Sequence, residues 1–408
     1  MSSLLGFDIR IKDDHRFAAF CSFMNIDAPG RSRFLRQMTL YMPDLSQSCR
    51  TTLDHIICIL QHANQLHRLT IITFDGREFG CLDPRLIGAL SSLTSIKDLT
   101  LAEVTDDMVT MLQSLQSPVA KAHIHFEPAW LDEIDMDPIL VLRNLSSSLR
   151  QLEVRWPVFP LAPHYDIQYS LLTELKISEN IRSPVLLAPL IYSFPNLRNL
   201  HIIDVIDEGE DSEDDIEEHR QANIFSQSQR HWEALDYVSS DILYFYQLGL
   251  SCKVHHLRLE LPEDHNLNLI KKVLYMVRPT RLDIVCSSDE INYSPMRLDR
   301  TVDYLTHLHV KVKNRNSYAN TSRIVWQDEV DPWAVCKELL QIDRGSLATR
   351  VTEAAPAVRY IVLKLSTEFA AGSSVWQVLR SGGISSLKEL TSQDAQRVKS
   401  ELALGPDF

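Results

Sequence analysis

The sequence contains little glycine, which makes up only 12 of its 408 residues. Backbone loops that cradle phosphate groups depend on glycine, and the phosphate-binding motif G-x-x-x-x-G-K-[ST] does not occur. The nucleophile elbow G-x-S-x-G and the zinc-protease motif H-E-x-x-H are also missing. These absences argue against the motif-defined classes of P-loop nucleotide binder, α/β-hydrolase and zinc protease.

The seven cysteines are widely spaced and never form a C-x-x-C pair. This spacing argues against a disulfide framework and a structural zinc site, and it favours a reducing compartment. No stretch approaches about 18 unbroken apolar residues, and the N-terminus lacks the apolar core of a secretory signal. We therefore expect a cytoplasmic or nuclear protein that makes no membrane contact.

Basic residues are not in excess, because 41 Lys and Arg stand against 54 Asp and Glu, for a formal net charge of −13. Ten acids and no Lys or Arg lie between Asp204 and Glu218, so the remainder carries a charge of only about −3. A nucleic-acid groove requires an excess of Lys and Arg, so no nucleic-acid partner is expected.

The acidic segment, 204–220, is interpreted as an extended, self-repelling loop between repeats. A contact for a basic partner is the alternative, because charge of this density would steer association. Ser212 lies in the context Asp-Ser-Glu-Asp-Asp, which is typical of an acid-directed kinase site, and it is a candidate phosphosite.

One short motif, L-x-x-L-x-L, recurs along the chain, as in LRNLHI at 197–202. Its twelve matches mostly lie about 22 to 31 residues apart, close to the period of a leucine-rich repeat. In a strand the fourth and sixth positions point to one face, and the third, fifth and seventh point to the other. Each motif is therefore predicted to form a strand with one apolar face and one polar face.

Helical patterns follow most of these motifs. Five of them start with a capping residue and a proline: the capping side chain accepts a free N–H of the first turn, and proline suits the first helical position. These pairs are Asp83-Pro84, Asp137-Pro138, Ser183-Pro184, Ser294-Pro295 and Asp331-Pro332.

Alternating strands and helices predict an α/β fold, namely a curved solenoid of the leucine-rich-repeat type with parallel strands on the concave face and helices on the convex face. A doubly wound sheet is the alternative, although its strands would be near-continuous Val and Ile runs. We predict an N-terminal cap helix and lead-in at 1–33, an irregular repeat array at 34–365, and a C-terminal cap and tail at 366–408. Short helices near 375–380 and 393–402 are expected in that cap.

The motifs LHRLTI, IKDLTL, LRQLEV, LTELKI, LRNLHI and LTHLHV, with RFAAFCSFMN…RSRFLRQMTLYMP near the start, resemble those of irregular leucine-rich-repeat proteins of fungi, many of them F-box proteins. The resemblance implies a substrate-binding array of a ubiquitin ligase receptor, with ligase components as partners by analogy. The turn Asn of such repeats is clear only at Asn180, so we expect no asparagine ladder. No F-box can be recognised, and a truncated receptor without present activity is an alternative.

The exposed face of the strands is the predicted binding site, because in a solenoid the polar positions of each motif line the concave sheet. Mixed charge with repeated His and Arg favours protein recognition, and a soluble face without a ligand is the alternative. The candidate partner-binding residues are Arg68, Lys121, His123, His125, Glu153, Arg155, Glu174, Lys176, His201, His256, Arg258, Arg281, Asp283, His307, His309 and Lys311.

His123 with His125, and His307 with His309, could each ligate zinc if a third ligand approached. The same spacing arises when polar positions of a strand face solvent, so we expect no metal and no cofactor. A cysteine nucleophile would need a nearby His and a lowered pKa, and the sequence shows no such arrangement. Cys252, Cys286 and Cys336 are expected to be core residues. We predict a non-catalytic, monomeric module for an unidentified protein partner; an enzyme whose site assembles only in space is the alternative.

Overall fold

The computed structural model describes residues 9–11, 14–41, 50–72, 83–126, 136–178, 185–203, 213–261, 267–287, 304–313, 345, 348–349, 351–352, 357–366, 371–381 and 384–401. The chain divides into two compact units, Met1–Trp232 and Glu233–Phe408, which we call the N-terminal and C-terminal units. The helix starts predicted at Ser183, Ser294 and Asp331 lie outside the described residues, as do Ser212, Asn180 and Cys336.

Among the described residues of the N-terminal unit, eight parallel strands pair in the order in which they occur along the chain. They are β1 (Ile9–Ile11), β2 (Gln37–Tyr41), β3 (Arg68–Ile72), β4 (Asp98–Val104), β5 (Lys121–Phe126), β6 (Gln151–Arg155), β7 (Glu174–Ser178) and β8 (Asn199–Ile203).

Helices alternate with most of these strands, as the sequence predicts. They are α1 (Asp14–Asn25), α2 (Ala28–Ser32), α3 (Arg50–His62), α4 (Pro84–Ser91), α5 (Asp106–Ser114), α6 (Pro138–Val141), α7 (Leu187–Ser193) and α8 (Glu213–Gln229), and a short 3-10 helix at Arg143–Leu145 follows α6.

The apolar positions of the repeat motif form the buried side of the sheet. Leu152 and Val154 of β6 pair in register with Leu175 and Ile177 of β7, and all four side chains are at most 2% exposed. Burial of each such side chain contributes roughly 1.5 to 3 kcal/mol, so a shift of one residue would turn this set to solvent and is strongly disfavoured.

Two of the predicted helix starts are confirmed at the level of single hydrogen bonds. Asp83 accepts the backbone N–H of Arg85 at 2.8 Å, and Asp137 accepts that of Ile139 at 2.9 Å. Both bonds satisfy a donor that a helix start otherwise leaves free.

Hydroxyl groups connect consecutive repeats at the turns that precede the strands. Ser117 donates to the carbonyl of Leu93 at 2.6 Å, and Ser148 donates to the carbonyl of Val119 at 2.9 Å. These bonds satisfy carbonyls of the preceding repeat, as the turn residues of a regular array would. The same kind of bond joins Ser95 to Leu66, Thr280 to His255 and Thr306 to Thr280.

The prediction of an acidic loop at 204–220 is wrong for its second half, because helix α8 begins at Glu213. Acidic residues in a first helical turn are stabilised by the helix dipole, and Arg220 donates to Glu217 at 2.9 Å. Asn223 is 1% exposed and accepts the backbone N–H of Leu187 at 2.8 Å, which fastens α8 to the start of α7. Residues 204–212 lie outside the described residues.

The described strands of the C-terminal unit are parallel from the first to the fifth and antiparallel from the fifth to the seventh. They are β9 (Ala234–Asp241), β10 (Lys253–Glu260), β11 (Arg281–Ser287), β12 (His307–Lys313), β13 (Tyr360–Ser366), β14 (Ala371–Ser381) and β15 (Ile384–Glu389). Helices accompany these strands in the described part of the unit: α9 (Ile242–Leu248), α10 (Leu267–Val277) and α11 (Ser392–Glu401).

Two sequence predictions fail in the C-terminal unit. The short helix predicted near 375–380 is wrong, because these residues belong to β14, where Val375 and Trp376 pair with successive residues of β13 and are buried on opposite faces. The helix predicted near 393–402 is present as α11. The sequence also predicts a repeat motif with Trp232, Leu235 and Tyr237 in its apolar positions. That register is wrong, because Leu235, Val238 and Ser240 pair with the motif residues Val254, Leu257 and Leu259 of β10, and Ser240 is 1% exposed.

We expect the Ser117→Ala variant to lower the free energy of unfolding by about 1 to 3 kcal/mol, because it leaves buried polar groups without partners. Ser117 is 2% exposed, donates to Leu93 and accepts the backbone N–H of Ile96 at 3.1 Å. Urea unfolding would measure the change. Ser114→Ala, at the exposed end of α5, is the matched control, and equal effects of the two variants would contradict this role.

Candidate functional site

The polar positions of the motif form what we call the outer face, the side of each sheet opposite the buried motif residues. In the N-terminal unit the strand register aligns them in rows across the sheet. The first row is Arg68, Asp98, Lys121, Gln151, Glu174 and Asn199, and the second is Thr70, Thr100, His123, Glu153, Lys176 and His201. All twelve residues are half-buried or exposed, so the face presents polar side chains at the spacing of the strands.

Glu153 is held from both neighbouring strands. Its Oε2 lies 2.9 Å from Nδ1 of His123 on β5, and its Oε1 accepts a hydrogen bond from Nζ of Lys176 on β7 at 2.5 Å. The bond from His123 lowers the pKa of Glu153 to about 2; burial opposes this change, and Lys176 adds to it. The carboxylate therefore stays ionised at neutral pH and fixes two basic side chains in place.

The rest of this face contains further hydrogen bonds between polar side chains of neighbouring strands. Arg68 donates to Asp98 at 2.8 Å, and Gln151 donates to Glu174 at 2.9 Å. Such partly exposed pairs contribute little to the free energy of folding. Their main effect is to order polar side chains on the outer face. His125 and Arg155 pair across β5 and β6 in a third row and are half-buried.

We expect the Lys176→Met variant to raise the pKa of Glu153 from about 2 toward its ordinary value of 4.5. The folded-state pKa is the lower one, so ionised Glu153 stabilises the fold above about pH 4.5, and this contribution is lost as the pH falls toward 2. Carboxyl-carbon NMR titration would measure the shift. Lys121→Met removes the same charge from the neighbouring row, and an identical pKa in both variants would refute the bridge.

The outer face of the C-terminal unit carries a second carboxylate held from both sides. Oδ2 of Asp283 on β11 lies 3.1 Å from Nε2 of His256 on β10, and its Oδ1 lies 3.6 Å from Nδ1 of His309 on β12. Burial alone would raise the pKa of Asp283, but the bonds from His256 and His309 outweigh burial and hold it below its usual range. Asp283 is 6% exposed and His309 is 3% exposed.

Aromatic rings and further charges surround this pair of histidines. The ring of Tyr237 meets that of His256 edge-on, with centroids 4.8 Å apart, and Arg258 donates to Glu260 at 3.2 Å. His307 stacks on Tyr360 with centroids 5.7 Å apart. Burial, followed by the charge of Arg281, lowers the pKa of His307 to about 4, so this ring is neutral at physiological pH.

Helix α11 covers part of this outer face. Val398 of α11 packs with Val362 of β13 and Val375 of β14, which pair with each other on the same side of the sheet as Tyr360. Burial, followed by the nearby charge of Lys364, lowers the pKa of Lys399 on the same helix. On β11 and β12, Asp283 and His309 are buried, whereas Arg281, His307 and Lys311 are half-buried.

We expect the Asp283→Asn variant to destabilise the fold by roughly 3 kcal/mol, because it removes the buried carboxylate that His256 and His309 contact from both sides, and loss of one partner from such a buried contact is strongly destabilising. Chemical unfolding followed by circular dichroism would measure the loss. Asp236→Asn, at an exposed carboxylate of β9, is the control. A loss at Asp283 no larger than at Asp236 would show that the cluster adds nothing to stability.

The metal and cysteine candidates from the sequence can be placed only where the structure describes them. Among the described residues, no group of three His, Cys, Asp or Glu side chains is arranged to hold a metal ion. Cys252 and Cys286 are buried, and burial raises the pKa of Cys252 to about 11, which keeps its thiol protonated. No helix in the described part of the chain is long and apolar enough to cross a membrane.

The sequence does not single out Tyr237 and Tyr360 as members of this face. Its motif register predicts Tyr237 on the apolar side, whereas Tyr237 pairs with His256 on the outer face. Tyr360 lies at a polar position of its strand, which is the signal that could have found it. In the comparisons with known proteins, no family model matches this chain and no curated sequence matches it.

Proposed function

We propose that the outer face of the N-terminal unit binds a protein partner and that the chain is a non-catalytic recognition module with the architecture of a leucine-rich-repeat solenoid. The observation that carries this proposal is the pair of polar rows that crosses six consecutive strands, β3 to β8, on half-buried or exposed side chains. Repeat proteins bind along such extended faces because each repeat contributes a few side chains at a fixed spacing.

The charge arrangement of this face supports a protein ligand. Its rows contain both acids and bases, and complementary mixed charge gives specificity between proteins. Glu153 fixes His123 and Lys176 before any partner arrives. Side chains that are already ordered lose less conformational freedom on binding, so this part of the face is prepared for contact.

We further propose that the bound protein is delivered to a ubiquitin ligase. This step is supported by the resemblance of the repeat motifs to those of fungal F-box proteins, whose arrays select the proteins to be modified. Copurification of a cullin-type ligase with the chain from native cells would support the step. A stable partner that is captured without any ligase component would oppose it.

We expect a double variant that blocks the outer face, Thr100→Arg with Asn199→Arg, to lose its native partner by tenfold or more. Both positions lie within the two rows, and a long charged side chain there would clash with a docked surface. Affinity capture with quantitative mass spectrometry would measure the retained partner.

The matched control is Gln113→Arg with Ser147→Arg, which adds the same charge at exposed positions on α5 and after the 3-10 helix. Circular dichroism should show that both double variants are folded. If the two variants retain the partner equally, the outer face is not the binding surface.

A further inference from the structure

Backbone hydrogen bonds bring the residues that directly precede β2 to β8 to one edge of the sheet in the N-terminal unit. From β3 onward, each of these residues donates its N–H to the carbonyl of the corresponding residue in the repeat before it, over 2.8 to 3.0 Å. Neighbours in this series are therefore about one strand spacing, or about 4.8 Å, apart. In order they are Arg36, His67, Lys97, Ala120, Arg150, Thr173 and Arg198.

This edge is basic although the whole chain has a net charge of −13. We use the name start edge for the residues of this series together with the first residue of each of β2 to β8. Six Lys and Arg residues and two acids lie on it. The bases are Arg36, Arg68, Lys97, Lys121, Arg150 and Arg198, and the acids are Asp98 and Glu174.

The two acids of the start edge already accept hydrogen bonds from its other residues. Arg68 donates to Asp98 at 2.8 Å, and Gln151 donates to Glu174 at 2.9 Å. Asp98 also pairs in register with Lys121, so one acid lies between two bases. The start edge therefore has more positive charge than its own acids can balance.

Three of the bases are open to a ligand. The side chains of Lys97, Lys121 and Arg150 are exposed, and none of them has a hydrogen bond or ion pair to a residue in the described part of the chain. We call these three residues the basic edge. They belong to the adjacent strands β4, β5 and β6 or directly precede them.

Backbone contacts fix the spacing of the basic edge. The carbonyl of Lys97 accepts the N–H groups of Ala120 and Lys121, both at 2.9 Å, and the carbonyl of Ala120 accepts that of Arg150 at 2.8 Å. Lys97 and Arg150 are thus two strand spacings, or about 10 Å, apart, with Lys121 between them. Three like charges at this spacing repel one another, and a bound anion relieves the repulsion.

The chemistry that fits is a short row of carboxylates. Hydrogen bonds from Lys and Arg to carboxylates are roughly twice as strong as those between neutral groups. In an extended peptide, side chains on one side repeat about every 7 Å. Two or three acidic residues at alternate positions of such a peptide therefore span the basic edge.

The surroundings favour a protein segment over a nucleic acid. No Phe, Tyr or Trp lies on the start edge, so bases would find no ring on which to stack. A long row of phosphates would also meet Glu174 on β7 and the ionised Glu153 on β6. A short acidic segment avoids both carboxylates.

We propose that the basic edge binds an extended acidic segment of the protein partner. This inference rests on the proposed function, because Lys121 also belongs to the first row of the outer face. It assigns Lys97, Lys121 and Arg150 as the residues that select for acidic partners and steer them onto the face.

Fluorescence anisotropy of the full chain with a short fluorescein-labelled peptide that alternates Glu with Ser tests the assignment. We expect this peptide to bind and to dissociate between roughly 0.01 M and 1 M salt, over which the screening length falls from about 30 to about 3 Å. A version with Lys in place of Glu should not bind, and a single-stranded DNA of equal charge should bind more weakly. Tighter binding of the Lys peptide or of the DNA would overturn the proposal.

The triple variant Lys97→Gln with Lys121→Gln and Arg150→Gln should weaken peptide binding by about tenfold. The matched control is Lys253→Gln with Arg380→Gln and Lys388→Gln, which removes the same charge from exposed side chains of the C-terminal unit and should bind as the unaltered chain does. Equal binding by the two triple variants would contradict the assignment.

Circular dichroism should show that both triple variants are folded, because all six side chains are exposed. If the basic-edge variant unfolds, the three single Gln variants decide. Each should then weaken binding by about twofold, and three unchanged affinities would overturn the proposal.

Affinity capture of the native partner separates failure of this inference from failure of the proposed function. If Thr100→Arg with Asn199→Arg loses the partner and the basic-edge variant retains it, the outer face is the binding surface and the basic edge does not contact the partner. Loss in both variants supports both proposals. If the blocking variant retains the partner, the proposed function itself fails.

Discussion

The structure depends on backbone hydrogen bonds that tie the start of a strand to the turn before the preceding strand. The carbonyl of Ala120 accepts the N–H groups of both Arg150 and Gln151, at 2.8 and 3.1 Å, and the carbonyl of Arg150 accepts that of Thr173 at 2.9 Å. Buried backbone groups must be paired, and a parallel strand supplies partners only in one register. Such bonds at the described strand starts from β3 to β8 therefore fix each of these strands in register with its neighbour.

A fixed register has consequences on both sides of the sheet. It places the apolar motif positions next to one another on one side of the sheet, where they form the core. It also aligns the polar positions in rows on the other side, where they form the outer face. The two units use those rows differently. Glu153 bridges His123 and Lys176 on a partly open surface, whereas Asp283 contacts His256 and His309 while buried. The first arrangement orders side chains on a partly open surface, and the second connects the adjacent strands β10, β11 and β12.

The repeat motif predicted strands well because it records burial, which dominates the free energy of these segments. It failed where burial alone is ambiguous. Ser240 is buried without being apolar, so the sequence pattern favours a register that starts too early, at Trp232. Strand β14 carries apolar residues on both faces, and a short sequence with that pattern cannot be told from a helix. The burial of Asp283 could not be predicted either, because it depends on surroundings built from segments distant in the chain.

Two departures from regular backbone lie on either side of β5. The register of β4 against β5 shifts between Leu101 and Val104, and Glu103 within this bulge has a φ of 58°. Trp156, which directly follows β6, has a φ of 56°. Left-handed backbone at a residue with a side chain costs of order 1 to 3 kcal/mol, so the fold holds strain on both sides of β5, whereas β6 and β7 pair in regular register.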